Sequence, residues 1–297
     1  FYKLYAEVMT NNVIEYQISQ YISDRVIKNR KILSEAFDMC CEKISLNNNE
    51  TFVIKYYKRK NDKFNSITSE TNSLTYLLKK FPKLFPSIKY KSDELLIIDY
   101  IEHNNIRGKN YQIDIANEIL KLHSISNDKY GFEFDAQIGG LRQSNEFDTS
   151  WVSFFGEKRL NMIFEKINNT DPMPKLINKK IEIILKDLKN YLPKKPNISL
   201  LHGDLWEGNI LFHNKKLVSF IDPGIYFGHN ELELAYLTWF GLVDNNFLNY
   251  YSDFIKIDKD FHKYEPIYQL YFSLLNVHLW DRNLYIKNVD KLLNNLI

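Results

Sequence analysis

The chain has 297 residues, of which 44% are hydrophobic, and it carries a formal net charge of +2. This length allows a large buried core, in one domain with two lobes or in two small domains. Lysine and arginine are spread along the sequence, which argues against the concentrated basic face that nucleic acid binding requires, and no apolar run approaches the ~20 residues that cross a bilayer. No signal peptide is recognisable, so we expect a cytoplasmic protein.

The first hundred residues alternate between helical and strand-like spacing of apolar side chains. In chain order the predicted elements are a helix at 11–29, a strand at 31–42, a turn at 47–50, a strand at 51–57, a helix at 66–80 and a strand at 95–98. A strand-rich N-terminal part follows from this pattern.

Beyond residue 100 the spacing becomes mostly helical. The predicted helices are 111–123, 151–167, 175–191 and most of 231–297. We therefore expect an α+β fold that forms one domain, with a small strand-rich lobe at residues 1–100 and a larger helical lobe at residues 101–297.

One hairpin is predicted within the helical part. The apolar runs 210–212 and 217–221 flank a polar turn at 213–216, a pattern typical of two antiparallel strands. Such a hairpin would bring Asp222 beside Asn209. A carboxylate and an amide oxygen together suit a hard divalent cation.

The segment HGDLWEGN at residues 202–209 has the H-x-D-x-x-x-x-N spacing of a protein-kinase catalytic loop. In that loop the aspartate accepts or orients the proton of the acceptor hydroxyl, and the asparagine holds metal. The sequence therefore predicts a phosphoryl-transfer site with Asp204 as the base and with Asn209 and Asp222 as metal ligands. The alternative is a loop in which these side chains only cap turns.

Lys55 and Glu70 form a second candidate constellation. Lys55 follows an apolar strand run, and Glu70 lies on the next predicted helix, so the two are expected to pair and to hold the α- and β-phosphates of ATP. Alternatively, Lys55 is a solvated edge residue. All ten glycines lie at or beyond Gly108, so the N-terminal part lacks a glycine-rich phosphate loop.

Two further sites are predicted from single residues. Asp99 and Ile101 follow the strand at 95–98, where backbone groups of an interlobe hinge would bond adenine, unless the segment is a plain strand end. Trp206 lies within the catalytic loop and is expected to form a platform for a sugar ring, with a core position as the alternative.

The only cysteines, Cys40 and Cys41, are adjacent. Neighbouring strand residues point to opposite faces, so a disulfide between them would be strained. We expect two reduced thiols, with an intermolecular disulfide as the other possibility.

With these residues in hand, the chain resembles the fructosamine kinase (ketosamine 3-kinase) family, relatives of the aminoglycoside phosphotransferases with a protein-kinase-like fold. The segments HGDLWEGN at 202–209, DPGIYFGHNELELA at 222–235 and WVSFFGEKRL at 151–160 are similar to that family's motifs. Ser34–Phe37 resembles the turn that replaces a glycine loop in these enzymes, although Arg30 and Lys31 stand where relatives have glycine. We expect backbone amides, helped by these cations, to cradle phosphate.

The resemblance implies ATP- and Mg²⁺-dependent phosphorylation of the 3-hydroxyl of a ketosamine, and hence deglycation. The acceptor would be a small ketosamine or a glycated protein lysine, with no nucleic acid or membrane partner, and the enzyme a monomer or homodimer. The resemblance implies the roles given above: Asp204 as base, Asn209 and Asp222 as metal ligands, Lys55 and Glu70 as phosphate clamp, Asp99, Ile101 and Ser34 at the nucleotide, and Trp206 at the substrate.

Two other functions remain open at this stage. One is a kinase of the same fold for another hydroxyl acceptor, of the aminoglycoside or choline kinase type. The other is a catalytically silent scaffold, suggested by the missing glycines.

Overall fold

The computed structural model describes residues 2–58 and 64–296, with the side chains of the first helix from residue 12 onward. The chain divides into two units. The first comprises Phe1–Gly108, Ala136–Arg142 and Ile210–Gly224, and the second comprises Lys109–Asp135, Gln143–Asn209 and Ile225–Ile297. The lobe boundary predicted at residue 100 stays a prediction.

The N-terminal part of the first unit is built on a five-stranded antiparallel sheet with the strand order β1-β2-β3-β5-β4. The elements in this part are α1 (Tyr2–Ile22), β1 (Ile27–Ala36), β2 (Met39–Leu46), β3 (Thr51–Tyr57), α2 (Ser66–Lys80), β4 (Ile88–Lys91) and β5 (Leu95–Asp99).

The rest of the chain is mainly helical, with short two-stranded pairings of β6 with β7, β8 with β11 and β9 with β10. Its elements are α3 (Tyr111–His123), β6 (Ala136–Ile138), β7 (Leu141–Gln143), α4 (Trp151–Phe155), α5 (Met162–Thr170), α6 (Lys175–Lys186), β8 (Ile198–Leu201), β9 (Ile210–His213), β10 (Lys216–Phe220), β11 (Tyr226–His229), α7 (Asn230–Trp239), α8 (Asn245–Ser252), α9 (Phe261–Leu279) and α10 (Arg282–Leu296). No helix in the described part of the chain is long and apolar enough to span a membrane.

The two faces of the sheet have different roles. Ile14 and Ile18 of α1 pack with Ile44 and Ile54 in one hydrophobic cluster, because alternate strand residues point to the same face. Lys55, the next residue after Ile54, points to the opposite face, where it reaches α2. The strand period therefore places Lys55 on the face opposite this cluster.

The predicted helix at 11–29 was placed too far along the chain. The helix spans Tyr2–Ile22 and ends where Ser23 takes a left-handed conformation, φ 55°. Residues from Ile27 onward pair with β2 instead, beginning with Leu46. Apolar spacing alone did not show that tertiary pairing takes over after Ile22.

The single strand predicted at 31–42 was also wrong, because it is a hairpin of β1 and β2. The chain reverses at Phe37 and Asp38, with φ 53° and 61°. Neither glycine nor asparagine marks this turn, so apolar spacing did not reveal it, and only the family resemblance of Ser34–Phe37 indicated a turn in this segment.

Most predicted helices are present, with differences at their ends. The predictions at 66–80 and 111–123 are confirmed. The helix predicted at 151–167 continues to Thr170 and contains a π-helical stretch at Gly156–Asn161. The helix predicted at 175–191 ends at Lys186 and is followed by a single 3-10 turn.

The hairpin predicted around residue 214 is confirmed. Ile210 of β9 pairs with Phe220 of β10, and Asn214 and Lys215 form the turn with φ 47° and 71°. Positive φ at both turn residues suits the right-handed twist of the strands, and asparagine followed by glycine is the preferred sequence for it. Lys215 is therefore a strained choice.

Replacing Lys215 with glycine should stabilise the protein. Lys215→Gly removes the steric cost of a left-handed side chain and should raise the free energy of unfolding by about 0.5–1 kcal/mol. The exposed neighbour Lys216, the first residue of β10, is the matched control. Lys216→Gly should lower stability by a similar amount, measured as the melting temperature by circular dichroism. If both variants raise the melting temperature equally, or both lower it equally, the turn assignment is contradicted.

Candidate active site

In the first unit, a buried lysine lies between two carboxylates. Lys55 Nζ is 2.6 Å from Glu70 Oε1 and 2.6 Å from Asp222 Oδ1. The Lys55 and Glu70 side chains are 8% and 3% exposed, whereas Asp222 is 39% exposed. The predicted Lys55–Glu70 ion pair is thus present, and the solvated-edge alternative is excluded. A role in phosphate binding remains a prediction.

Local sequence signals place these charges. Lys55 sits in β3 between Cys41 of β2 and Leu96 of β5, so it cannot reach the sheet edge. The helix that presents Glu70 begins after Asn65, whose side chain accepts a hydrogen bond from the Thr68 amide at 3.1 Å. This cap fixes where α2 starts and hence which turn carries Glu70.

The two carboxylates determine the protonation state of Lys55. Burial alone would lower the pKa of Lys55, but Asp222 and Glu70 outweigh it and raise that pKa above its ordinary value, so the lysine stays protonated. Burial raises the pKa of Glu70, against the attraction of Lys55. Lys55 is therefore a fixed positive charge at neutral pH.

Asp222 is the second residue after the end of β10 and has a left-handed backbone, φ 56°. Aspartate tolerates this conformation better than most residues, but it still carries strain. Residues with a strained backbone of this kind concentrate at functional sites. The conformation accompanies the contact of the Asp222 carboxylate with Lys55.

In the second unit, the loop from His202 to Asn209 holds the predicted base. Asn209 Nδ2 donates to the Asp204 backbone oxygen at 2.8 Å and to Asp204 Oδ2 at 3.3 Å. The Tyr236 hydroxyl donates to Asp204 Oδ1 at 3.5 Å. Both carboxylate oxygens of Asp204 thus accept a hydrogen bond, which fixes the orientation of the group.

Glu233 hydrogen-bonds the backbone of this loop, a role that the sequence analysis did not predict. Its carboxylate accepts the His202 amide at 3.2 Å and the Gly203 amide at 2.9 Å, and His123 Nε2 lies 3.0 Å from Glu233 Oε2. Gly203 has φ 87°, a conformation that glycine adopts without strain. The loop backbone is therefore bonded to a buried carboxylate.

The pKa of Glu233 is lowered although the residue is buried. Burial raises it, but the hydrogen bond and charge of His123, the charge of His202 and the Gly203 amide together lower it below the ordinary value. The sequence did carry a signal: Glu233 stands between Leu232 and Leu234, in the stretch of α7 where apolar residues begin to predominate. A carboxylate at such a position must find donors.

Trp206 is partly exposed and packs at the edge of the same loop. Its indole lies 6.0 Å from the Phe240 ring, and a Cβ on Gly208 would lie 2.5 Å from the indole. Glycine at 208 therefore leaves the space that the indole occupies. Trp206 is not a core residue, which agrees with a platform role, although contact with substrate stays a prediction.

The predicted nucleotide residues of the first unit lie at strand ends. Asp99 ends β5, its amide donates to Ser87 O at 3.0 Å and its carboxylate pairs with Lys89 at 3.0 Å. The Ile101 carbonyl accepts from His103 Nδ1 at 2.8 Å if that nitrogen carries the proton. Within the described residues the Ile101 amide makes no hydrogen bond, so this N–H is available to a ligand. The hinge stays a prediction.

The predicted phosphate turn differs from expectation in two ways. Ser34 is an exposed residue of β1 opposite Cys41, and the turn itself is at Phe37 and Asp38. Arg30, expected to help with phosphate, instead makes a bidentate pair with Glu15 at 2.7 and 2.8 Å. The roles expected of Arg30 and Ser34 at phosphate remain predictions.

Cys40 and Cys41 form no disulfide within the described chain, and their reduced state stays a prediction. Cys40 is buried and Cys41 is partly exposed, on opposite faces of β2. Burial raises the pKa of Cys41 to about 12, so the thiol is protonated and a poor nucleophile at neutral pH.

The side-chain oxygens of Asn209 and Asp222 are ligands of the kind that Mg²⁺ prefers. Because Asn209 Nδ2 is used for Asp204, the side-chain oxygen is the group left for a cation. Among the described residues, no three His, Cys, Asp or Glu side chains form a metal cluster. Magnesium at phosphoryl-transfer sites relies on one or two protein ligands and on phosphates. Asn209 and Asp222 belong to different units, so their pairing stays a prediction.

These arrangements define a class of protein. A fixed cation paired with a helix glutamate, and an aspartate–asparagine loop held by a buried carboxylate, are the parts that kinase-type phosphotransferases use. The α+β class predicted from sequence is confirmed, and the same fold occurs in aminoglycoside phosphotransferases.

Comparison with known sequences identifies one family within this class. The family model for fructosamine kinase matches residues 10–297, and the chain belongs to that family. A probable ketoamine kinase of Enterococcus faecium is 33% identical over 67% of this chain and 71% of the relative. A chloroplastic protein-ribulosamine 3-kinase of Arabidopsis thaliana is 28% identical over 62% of this chain and 56% of the relative.

A solved structure agrees with this fold. The crystal structure of a Thermobifida fusca protein assigned as a fructosamine-3-kinase has a TM-score of 0.81 and 18% identity, and the match covers 93% of this chain and 96% of that one.

Removing the charge of Glu233 should destabilise the protein in a pH-dependent way. Glu233→Gln puts an amide where two backbone amides need acceptors and should cost about 1–3 kcal/mol at pH 7. Because the folded pKa is lowered, the carboxylate contributes fully above its unfolded pKa of about 4.3, and the contribution disappears as pH falls through the folded pKa. The stability gap between wild type and variant should therefore narrow below about pH 4.3.

Urea unfolding at pH 7, 5, 4 and 3 measures this gap. The control is Glu146→Gln, which removes an 82% exposed carboxylate paired with Lys158 and should cost under about 0.5 kcal/mol. A gap for Glu233→Gln that is as large at pH 3 as at pH 7 would show that the carboxylate is not the anchor.

Proposed function

We propose that this chain transfers the γ-phosphoryl group of ATP to the 3-hydroxyl of a ketosamine and so starts the removal of a sugar from a glycated amine. Membership of the fructosamine kinase family supports this activity, as do relatives named for ketoamine and ribulosamine. The observation that carries the proposal is the Asp204–Asn209 pair within HGDLWEGN, held by Glu233. A cytosolic location, where ATP is abundant, also fits two free thiols.

Each charged residue has a role in this reaction. Asp204 accepts or orients the proton of the 3-hydroxyl, so that the oxygen is poised for the phosphorus atom. Asn209 and Asp222 would hold Mg²⁺, which when bound neutralises charge on the phosphates. Lys55, positioned by Glu70, supplies fixed positive charge for the α- and β-phosphates, and Ile101 offers its free amide to the adenine edge.

The substrate side is formed by the catalytic loop. Trp206 offers an aromatic face beside Asp204, which suits the apolar face of a sugar. The acceptor is a ketosamine on a small amine or on a protein lysine. The quaternary state, monomer or homodimer, remains a prediction.

Substitution of the base should abolish turnover and spare nucleotide binding. Asp204→Asn keeps the size of the side chain but cannot accept a proton, so kcat should fall by about 10²–10⁴-fold with a fructosylated amine, ATP and Mg²⁺. ATP consumption and a product heavier by one phosphate measure the reaction. Wild-type protein that phosphorylates a non-glycated alcohol but no ketosamine would contradict the proposal.

Nucleotide binding should depend on Asp222 through the metal. ATP with Mg²⁺ at 100-fold above its Kd should add about 2.7 kcal/mol of stability and raise the melting temperature by several degrees. Asp222→Asn should lose most of the Mg²⁺-dependent part and keep the smaller shift seen with ATP and EDTA. Wild-type protein without any shift would favour a silent scaffold.

A further inference from the structure

A row of aromatic rings in the second unit begins at the catalytic aspartate. Tyr236, whose hydroxyl meets Asp204, stacks on Phe272 with ring centroids 3.7 Å apart and 10° between the planes. The Tyr236 ring also contacts Phe240 at 5.1 Å, and Phe240 leads back to Trp206. The inner end of the row is therefore fixed at the reacting centre.

From Tyr236 the row continues outward. The Trp239 ring lies 6.4 Å from Tyr236, and Tyr285 of α10 lies 5.8 Å from Trp239. Tyr236 is buried, whereas Trp239 and Tyr285 are half-buried and keep accessible surface. We call Trp206, Phe240, Tyr236, Trp239 and Tyr285 the aromatic row.

The outer end of the aromatic row meets an open depression. This depression has a volume of about 660 Å³, within the range of small-molecule sites, and is lined by residues 279–285, including Tyr285 itself. Trp280, at the turn between α9 and α10, is 71% exposed. The one cation of this lining, Arg282, is paired with Asp171 at 2.8 Å. Leu284, which is 57% exposed, lines the depression together with Trp280, and neighbouring exposed apolar side chains of this kind mark interaction sites.

We propose that the aromatic row and this depression bind the amine arm of a glycated lysine, so that Trp239, Trp280 and Tyr285 determine specificity for long amines. The inference rests on the proposed function, because it places the 3-hydroxyl at Asp204. A ketosamine nitrogen is a secondary ammonium, which aromatic faces attract through cation–π interaction. The methylene groups of lysine then pack on the outer rings.

The length of the row agrees with this substrate. Nine covalent bonds of about 1.5 Å separate the 3-oxygen from the lysine α-carbon, or roughly 11 Å when the arm is extended. The two outward steps are 6.4 Å to Trp239 and 5.8 Å to Tyr285, so the row extends up to about 12 Å from the Tyr236 ring, which is long enough for this arm. The α-carbon and its peptide would thus reach the depression, whereas a glycated methylamine would leave the outer rings uncovered.

The experiment compares two substrates that share the sugar and the ammonium. One is Nε-fructosyl-lysine with blocked α-amino and carboxyl groups, and the other is fructosyl-methylamine. Wild type should prefer the lysine substrate in kcat/KM. Trp239→Ala, Tyr285→Ala and Trp280→Ala should each reduce that preference by about five- to tenfold, mainly through KM, with the KM for ATP unchanged. Trp239→Phe and Tyr285→Phe should keep most of it.

The control is Phe254→Ala. Phe254 is 65% exposed, similar to Trp280, but it lies just after α8 and its ring contacts Tyr250 of that helix. It should leave the preference unchanged. Trp280→Ala removes a mostly exposed side chain, so the test does not depend on variants that fail to fold.

Two outcomes would overturn the inference. If wild type phosphorylates both substrates equally well, or if the preference stays within twofold in all three alanine variants, only the aromatic row proposal fails. If wild type phosphorylates neither substrate, the proposed function fails, and the inference fails with it.

Discussion

The buried charge of Lys55 is the constraint on which the first unit depends. An ammonium group 8% exposed is stable only with carboxylates in contact, and Glu70 and Asp222 each lie 2.6 Å away. This requirement fixes three elements at once: β3 must be interior to the sheet, α2 must start where Glu70 meets the lysine, and the chain after β10 must take a strained conformation at Asp222. A buried ion pair adds little stability over apolar packing, which points to binding as the reason for its presence.

The second unit uses a buried charge in a similar way. Glu233 bonds two successive backbone amides of the loop that carries Asp204, and His123 bonds Glu233 in turn. Since Asn209 and Tyr236 contact the Asp204 carboxylate, the proposed base is oriented by donors on both sides. Tyr236 also begins the aromatic row, so a single residue connects the orientation of the base with the surface proposed for the amine arm.

The sequence predicted those features that rest on local patterns. The hairpin of β9 and β10, the helix at 66–80 and the Lys55–Glu70 pair followed from strand and helix periods and from charge inside an apolar run. The turn at Phe37 carries no glycine or asparagine, so only the family resemblance pointed to it. The end of α1 at Ile22 was missed because later residues pair with β2, which the local pattern does not show. Glu233 was missed for the same reason, since its donors come from a loop 30 residues away. The pairing of Arg30 with Glu15 was not foreseen either, because Glu15 lies on another element.

A double-mutant cycle on Lys55 and Glu70 tests most directly whether the buried charge serves phosphate binding. The free energy of unfolding and the affinity for ATP with Mg²⁺ are measured for Lys55→Met, Glu70→Leu and the double variant. Each single variant should lose about 3 kcal/mol or more, because it leaves an unpaired buried charge or an incomplete cluster, and the double variant should regain most of that stability while ATP binding is lost. A double variant that is as unstable as the sum of the single variants, or that binds ATP like the wild type, would contradict this account.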